Sequence, residues 1–252
     1  MRIVSWNLAR NSTSRSWSVH ERAWHYLAAL DPDIALLQEV TPPDWALERW
    51  SVVQPSTSPW GSAILARHGL ELRPGPTDWH GGFEQGVLLA TGEVAPAQGT
   101  ELLLGSVHTV IGKARADVLV GFDPLRIKRP TEPVAYKNDV AYALYRDRVH
   151  GRRFIVSGDW NIARLWDTLH PGAHETDFFT RAEADGWVDC YRLFNEDEGR
   201  TWFRGRDAPY QLDHAFCDPE TARLLRSCYI DPYPAEKLML SDHAPLILEL
   251  KT

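Results

Sequence analysis

The chain has 252 residues, of which 44 % are hydrophobic and 24 % charged. This ordinary balance excludes a disordered or collagen-like chain, and no charge-free apolar run reaches the ~18 residues of a membrane span. The net charge of −7 counts against a protein that coats nucleic acid without regard to sequence, although a local positive groove stays open. The first predicted strand is Arg2–Asn7. A helix follows over Val19–Leu30, with Ser18 and Glu21 as a capping box and Val19, Ala23, Leu27 and Leu30 as its buried stripe. Asp31-Pro32-Asp33 stops it, and the apolar run Ile34–Gln38 reads as a central strand. Three strands are expected next, over 62–67, 86–91 and 101–109, separated by turn residues as in an antiparallel meander. The segment Val110–Tyr136 has no clear period, and a loop of that length inside a compact domain is usually functional or mobile. Its basic run Arg126–Arg129 reads as a solvated loop, with a phosphate clamp as the alternative. A helix over Asn138–His150 ends at Gly151. A strand over Arg153–Ser157, a helix over Asp177–Asp185 and a strand over Gln211–Phe216 follow. Asp218-Pro219 opens a short helix, and Leu246–Leu250 is the last strand.

Strands and helices interleave from end to end without repeat or linker, which predicts one α/β domain over residues 1–252. The start shows no basic stretch followed by an apolar core and a cleavage site, so a cytoplasmic protein is expected. Cys190, Cys217 and Cys228 are odd in number and lack metal-ligand spacing, which fits reduced thiols. No obligate protein partner is evident.

The polar residues carry the functional signal. Predicted strands end in Ser5-Trp6-Asn7, Gln38-Glu39, His108-Thr109 and Ser157-Gly158-Asp159-Trp160-Asn161, and Ser241-Asp242-His243 precedes the last strand. An apolar core would not select these residues, whereas a site assembled from distant parts of a sheet would. Side chains two apart on a strand share a face, so Ile155, Ser157 and Asp159 point one way. In the strand over 211–216, Asp213 lies opposite the face of Leu212, His214 and Phe216, and the Asp213 face is the one expected to meet the site, leaving His214 structural.

These fragments resemble the endonuclease/exonuclease/phosphatase superfamily of exonuclease III-like and DNase I-like phosphoesterases. The matches are Ile3-Val4-Ser5-Trp6-Asn7, Leu37-Gln38-Glu39, Trp60-Gly61-Ser62-Ala63-Ile64-Leu65, Ser106-Val107-His108-Thr109, Ser157-Gly158-Asp159-Trp160-Asn161, Gln211-Leu212-Asp213-His214 and Ser241-Asp242-His243. Each is weak alone, but all stand in the family's order over nearly the whole chain. The resemblance implies an α/β fold built as a four-layer α-β-β-α sandwich of two packed mixed sheets, with the active site at one end. It also implies Mg²⁺-dependent hydrolysis of a phosphate ester, with Mn²⁺ as the alternative ion. Glu39 is then the principal metal ligand, with Asn7 beside it and Asp242 as a further ligand; a hard cation of this kind takes oxygen ligands and keeps several waters. Asp159 orients or deprotonates the attacking water, and Asn161 hydrogen-bonds the phosphate or that water. Asp213 holds His243 in one tautomer and favours its cationic form, and His108 donates to a phosphate oxygen or the leaving group. Asn7, Trp202, Tyr210 and Arg204 are the candidate substrate contacts, the two aromatic residues as stacking surfaces. Leu8-Ala9-Arg10 follows Asn7, so the carboxylate that the exonuclease III-like branch keeps there is absent. The expected substrate is DNA or RNA. The alternatives are a phosphatase or phospholipid diesterase and, in a different class, a catalytically inactive binding protein on the same fold.

Overall fold

A computed structural model describes residues 1–10, 16–55, 60–75, 87–95, 101–115, 119, 127–129, 131, 134–204 and 209–251. In chain order its strands are β1 (Arg2–Asn7), β2 (Ile34–Gln38), β3 (Trp50–Val53), β4 (Ser62–Arg67), β5 (Glu71–Pro74), β6 (Val87–Ala95), β7 (Leu102–Thr109), β8 (Phe154–Asp159), β9 (Val188–Asp189), β10 (Asp213–Cys217), β11 (Leu225–Ile230) and β12 (Leu246–Leu250). Its helices are α1 (Trp17–Ala29), α2 (Asp44–Leu47), α3 (Lys137–Val149), α4 (Arg164–Leu169), α5 (Thr176–Ala184), α6 (Pro219–Ala222) and α7 (Tyr233–Glu236). The strands form two six-stranded sheets, ordered β11-β12-β1-β2-β4-β3 and β5-β6-β7-β8-β10-β9. Each sheet has one central parallel pair, β1 with β2 and β7 with β8, among antiparallel neighbours.

Three apolar layers hold the sheets and helices together. Ile3, Ile34, Leu36, Ile64, Leu104, Ile155, Ala215 and Leu248 fill the space between the sheets. Val4, Trp6, Leu37 and Leu65, on the opposite faces of their strands, pack on Ala23, Trp24 and Leu27 of α1. On the far side Val107, Val156 and Phe216 pack on Tyr142 and Tyr145 of α3 and on Phe178 and Phe179 of α5. The result is the expected four-layer α-β-β-α sandwich. Both faces of the central strands are covered, which is why they read as near-continuous apolar runs.

Several sequence expectations need correction. The strand over 62–67 does not join the next two in a meander: β4 pairs with β2 and β3 in the first sheet, while β6 and β7 pair in the second. Only residues 68–70 separate β4 from β5, yet the chain changes sheets there, and turn residues do not announce which sheet a strand joins. Helix α1 starts at Trp17 rather than Val19, and its cap position is Ser16, whose carbonyl accepts from Val19 and His20. Its buried stripe is therefore His20, Ala23, Trp24 and Leu27. The strand β8 extends two residues further than expected, to Asp159. Arg129 is not solvated: it is 4 % exposed, held by Asp139, Asn138 Oδ1 and the His174 carbonyl, while Lys128 is exposed and Arg126 lies outside the described residues. The expected cap at Asp218 is present, accepting from Glu220 and Thr221. The three cysteines are free and buried.

Gly158 makes the close approach of β7 and β8 possible. Its φ is +150°, and a Cβ there would lie 2.0 Å from the Val107 carbonyl oxygen. Gly158→Ala is expected to cost roughly 3 kcal/mol or more, a fall in Tm on the order of 10 °C for a chain of this size. Thermal unfolding of the variant checks this, and an unchanged midpoint would contradict the steric account.

Candidate active site

The sheet registers bring the polar strand ends to one level. In the second sheet His108 of β7 lies opposite Asp159 of β8, which lies opposite Asp213 of β10. In the first sheet Asn7 of β1 is paired with Gln38 of β2 and Gln38 with Ser62 of β4. One inner-face level below, the second sheet carries Ser106, Ser157 and Ala215, and below that Leu104, Ile155 and Cys217. The space between the sheets thus grades from apolar, through small hydroxyls, to ionisable groups. The serine level is satisfied internally: Ser106 donates to Leu37 O and accepts from Gln38, and Ser157 donates to His214 O.

At the polar level the two sheets meet through Asn7. Its Nδ2 donates to Asp159 Oδ2 at 3.0 Å and to Glu39 Oε1 at 3.2 Å, while its Oδ1 accepts from the Ala9 amide. The amide group, not the oxygen, therefore faces the carboxylates. Glu39 and Asn161 both lie just past their strands in the left-handed region, with φ of +49° and +50°, an uncommon conformation for residues other than glycine that clusters at functional sites. The Asn161 amide N–H donates to Asp159 Oδ1, and its side chain donates to the Thr109 carbonyl.

Two histidines face these carboxylates. His108 Nδ1 donates to the Trp60 carbonyl, which turns Nε2 to Glu39 Oε1 at 3.5 Å and Asp159 Oδ2 at 4.0 Å. His243 Nδ1 donates to Asp213 Oδ2 at 2.8 Å, and its Nε2 stands 3.7 Å from Asp159 Oδ2. Burial alone would push the His243 imidazolium down. The carboxylates of Asp213 and Asp159, with a smaller contribution from Asp242, outweigh it and lift the group to about 10. Burial pushes Asp159 upward, and the two histidines and Asn7 pull against that shift. The His243 loop is fixed from several sides. Trp6 Nε1 donates to its carbonyl, Ser241 Oγ accepts from its amide, and Ser241 donates in turn to Asn7 O. Thr201 Oγ1 accepts from the amides of Leu212 and Asp213.

The donor set fits a hard cation. Among the described residues, no Lys or Arg forms an ion pair with Glu39, Asp159 or Asp213. The Asp213 Oδ1 atom is buried without a hydrogen-bond partner. Oxygen-rich, under-neutralised clusters suit Mg²⁺ or Mn²⁺. Asp159, Asp213 and His243 together are a buried group that could hold a metal, with donor atoms within 4.8 Å of one another. A cleft of about 1260 Å³ opens at the other end of β8 between Arg152, Phe154, Trp187 and Asp218, and contains none of these groups.

The remaining sequence candidates sit at the rim. Asp242 is half-buried, and its carbonyl accepts from Phe203 N. Trp202 bridges its backbone to His243. The Tyr210 carbonyl accepts from the amides of Thr201 and Trp202, and its ring meets Trp166 at 5.1 Å. Arg204 is exposed and joins no ion pair among the described residues. His214 points away from the cluster, its ring 5.0 Å from Phe179, and Gln211 Nε2 donates to its Nδ1. Sequence reasoning missed Trp166 and His170 of the α4 region and the carboxylates Glu175 and Glu198 that anchor that helix, because none of these lies in a motif.

This architecture and this set of converging groups define a DNase I-like hydrolase of phosphate esters. The pattern of the Endonuclease/Exonuclease/phosphatase family matches residues 4–243, and the chain belongs to that family, whose members are metal-dependent. Among curated protein sequences none matches. Similar solved structures include the 3'-5' exonuclease NExo from Neisseria meningitidis, with 20 % identity, all of both chains covered and a TM-score of 0.70. D. rerio TDP2 complexed with single-strand DNA product has 16 % identity, covers 100 % of this chain and 99 % of that one, and gives 0.65. The AP endonuclease LMAP from Leishmania major has 18 % identity, 100 % and 87 % coverage and a TM-score of 0.61.

The Asp213–His243 pair has a pH signature in the metal-free protein. Folding raises His243 above 6.5, so the pair's stabilisation is complete below that pH and fades as pH climbs through about 10. Asp213→Asn is expected to move the His243 titration down by more than about one pH unit and to flatten the fall in stability between roughly pH 7 and 10. NMR titration of the imidazole and Tm against pH read both effects, and a titration that stays in place would refute the pairing.

Proposed function

We propose that the chain is a Mg²⁺-dependent phosphodiesterase acting on DNA or RNA. The single observation that carries this reading is the row His108–Asp159–Asp213 set against Asn7 and Glu39, with a cationic His243 at its end. Glu39 would hold the ion, with Asp242 as a further or water-mediated ligand, and Asn7 would join them on rotating its amide oxygen inward. When bound, the ion supplies charge neutralisation on the phosphoryl oxygens. Asp159 orients a water for in-line attack, because Asn7 and the Asn161 amide fix both of its oxygens and burial raises its basicity. His243, kept protonated by Asp213, presents positive charge to the phosphoryl group. His108, its ring oriented by Nδ1 donating to Trp60 O, can donate from Nε2 to a phosphate oxygen or to the leaving group in its imidazolium form. Asn161 holds the phosphate or the water. Trp202, Tyr210 and Arg204 line the approach of the substrate.

Support for a nucleic-acid substrate comes from similar proteins: a variant of NExo from Neisseria was solved with a product DNA hairpin and TDP2 with a single-strand DNA product. The former is described as a 3' phosphatase, and this favours, as a second reading, hydrolysis of a terminal phosphate monoester by the same groups. Free, buried thiols support a cytoplasmic setting. In the described residues no helix is long and apolar enough to cross a membrane.

Asp159→Asn and His243→Ala should each lower kcat by on the order of 10³-fold or more, and Asp159→Asn should shift Tm only a few degrees, whereas His243→Ala also loses the stabilisation of its pair with Asp213. EDTA should abolish turnover, and Mg²⁺ or Mn²⁺ should restore it. Assays of plasmid, single strands, an abasic oligonucleotide, a 3'-phosphorylated oligonucleotide, inositol phosphates and sphingomyelin separate the substrate classes. Wild-type turnover in either variant would remove the assigned roles, and activity confined to the monoester would favour the second reading.

A further inference from the structure

Beside the reaction centre lies an aromatic surface that no motif identifies. Five residues beyond Asn161, Trp166 of α4 stacks on His170, with ring centroids 3.8 Å apart and planes 16° apart. Tyr210 closes on the same indole at 5.1 Å, tilted by 52°. Trp166 and Tyr210 are half-buried and His170, stacked over the indole, is exposed, so the stack reaches solvent through the His170 ring. It is continuous with the active site by two routes. One is the chain itself, from Asp159 and Asn161 into α4. The other runs from the Tyr210 carbonyl to the Trp202 amide, and from Trp202 to His243.

The mounting of this surface is unusually firm for a two-turn helix. The Glu198 carboxylate accepts from the amides of Arg164 and Leu165 at 2.7 and 2.9 Å, and Glu175 accepts from Ala163 at 2.8 Å. Asp167 accepts from the amides of His174, Glu175 and Thr176, pinning the return of the chain. The His170 ring is fixed by Nδ1 donating to the Trp166 carbonyl. Acidic side chains thus satisfy the backbone ends, and the rings are left on display rather than drawn into the core, where Phe178 and Phe179 already fill the neighbouring space.

We propose that Trp166, His170 and Tyr210 form a stacking platform for unpaired nucleotides, so that the preferred substrate is a single strand or a frayed strand end. This rests on the nucleic-acid reading above. Flat rings with polar edges accept the face of any base, which makes such a surface tolerant of sequence. A base inside a duplex has both faces covered by its neighbours and cannot use it. Arg200, stacked on Phe203 with Nε donating to the Trp202 carbonyl, and the exposed Arg204 lie on the same rim and match the charge of a phosphate backbone.

The test is fluorescence anisotropy of the full chain in EDTA, with a labelled single strand of about eight nucleotides and a blunt duplex of the same sequence. Trp166→Ala and His170→Ala are each expected to weaken single-strand binding, the former by roughly tenfold, and to leave duplex binding within about twofold. Trp166→Phe should retain most of the affinity. The His170 side chain is exposed, so its variant tests the platform even if Trp166→Ala fails to fold. Single-strand affinity unchanged in His170→Ala, or equal losses on strand and duplex, would overturn the platform while leaving the nucleic-acid reading intact. Wild-type protein that binds neither oligonucleotide would overturn the platform, while the nucleic-acid reading stands or falls on the turnover assays in Mg²⁺.

Discussion

Everything in the site follows from the pleat of two facing sheets. A strand presents every second residue to the same side, so the register of β7, β8 and β10 decides which three side chains stand abreast. With His108, Asp159 and Asp213 in one row, and Asn7 facing them from the other sheet, strands place four of the central groups, and His243, Glu39 and Asn161 join them from the turns beyond strand ends. A slip of one residue in β8 would turn Asp159 toward Tyr142 and Phe178 and bring Gly158 to the reaction centre. The apolar levels of Ile3, Ile34, Leu104 and Ile155 resist such a slip, because it would expose them to the wrong layer. Packing at one end of the sandwich therefore sets the catalytic geometry at the other.

The polar end is electrostatically costly. Asp159, Asp213 and His243 are nearly inaccessible, and Asp213 Oδ1 has no partner among the described residues. Burial penalises each charge, and only mutual attraction returns part of that loss. His243 shows the balance: two carboxylates outweigh the burial that would otherwise neutralise it. The left-handed backbone at Glu39 and Asn161 adds strain of the same character. These local costs are borne by three apolar layers, with Trp6, Trp24, Trp50 and Trp160 fully buried among them.

Much of this was legible before any coordinates. The central strands announced themselves by apolar runs ending abruptly in Asn7, Glu39, His108 and Asp159, since a polar group at the end of a buried strand has few other uses. The face of Asp213 followed from the two-residue period alone. Other features depend on contacts that no local pattern encodes. The edge strands β3, β5, β9 and β11 are short or half-exposed and lack a clean alternation. The partition of β4 and β6 between sheets is a long-range choice. Arg129 looked like one charge in a basic run, and only the fold supplies the buried Asp139 that holds it. Trp166 and His170 belong to no family motif, and their stacking appears only when α4 is wound and anchored.

The pairing of β1 with β12 carries a consequence for biogenesis. Ile3 stands opposite Leu248, so β1 is completed by a strand far along the chain, and the turn before β12 delivers His243. Until then β1 lacks its antiparallel neighbour and Asp213 its imidazole. Contacts this distant in sequence form late and slowly. A polypeptide not yet extended through β12 would thus hold most of the carboxylates without the imidazole that partners them, and the polar cluster would be assembled only after that strand has joined the sheet.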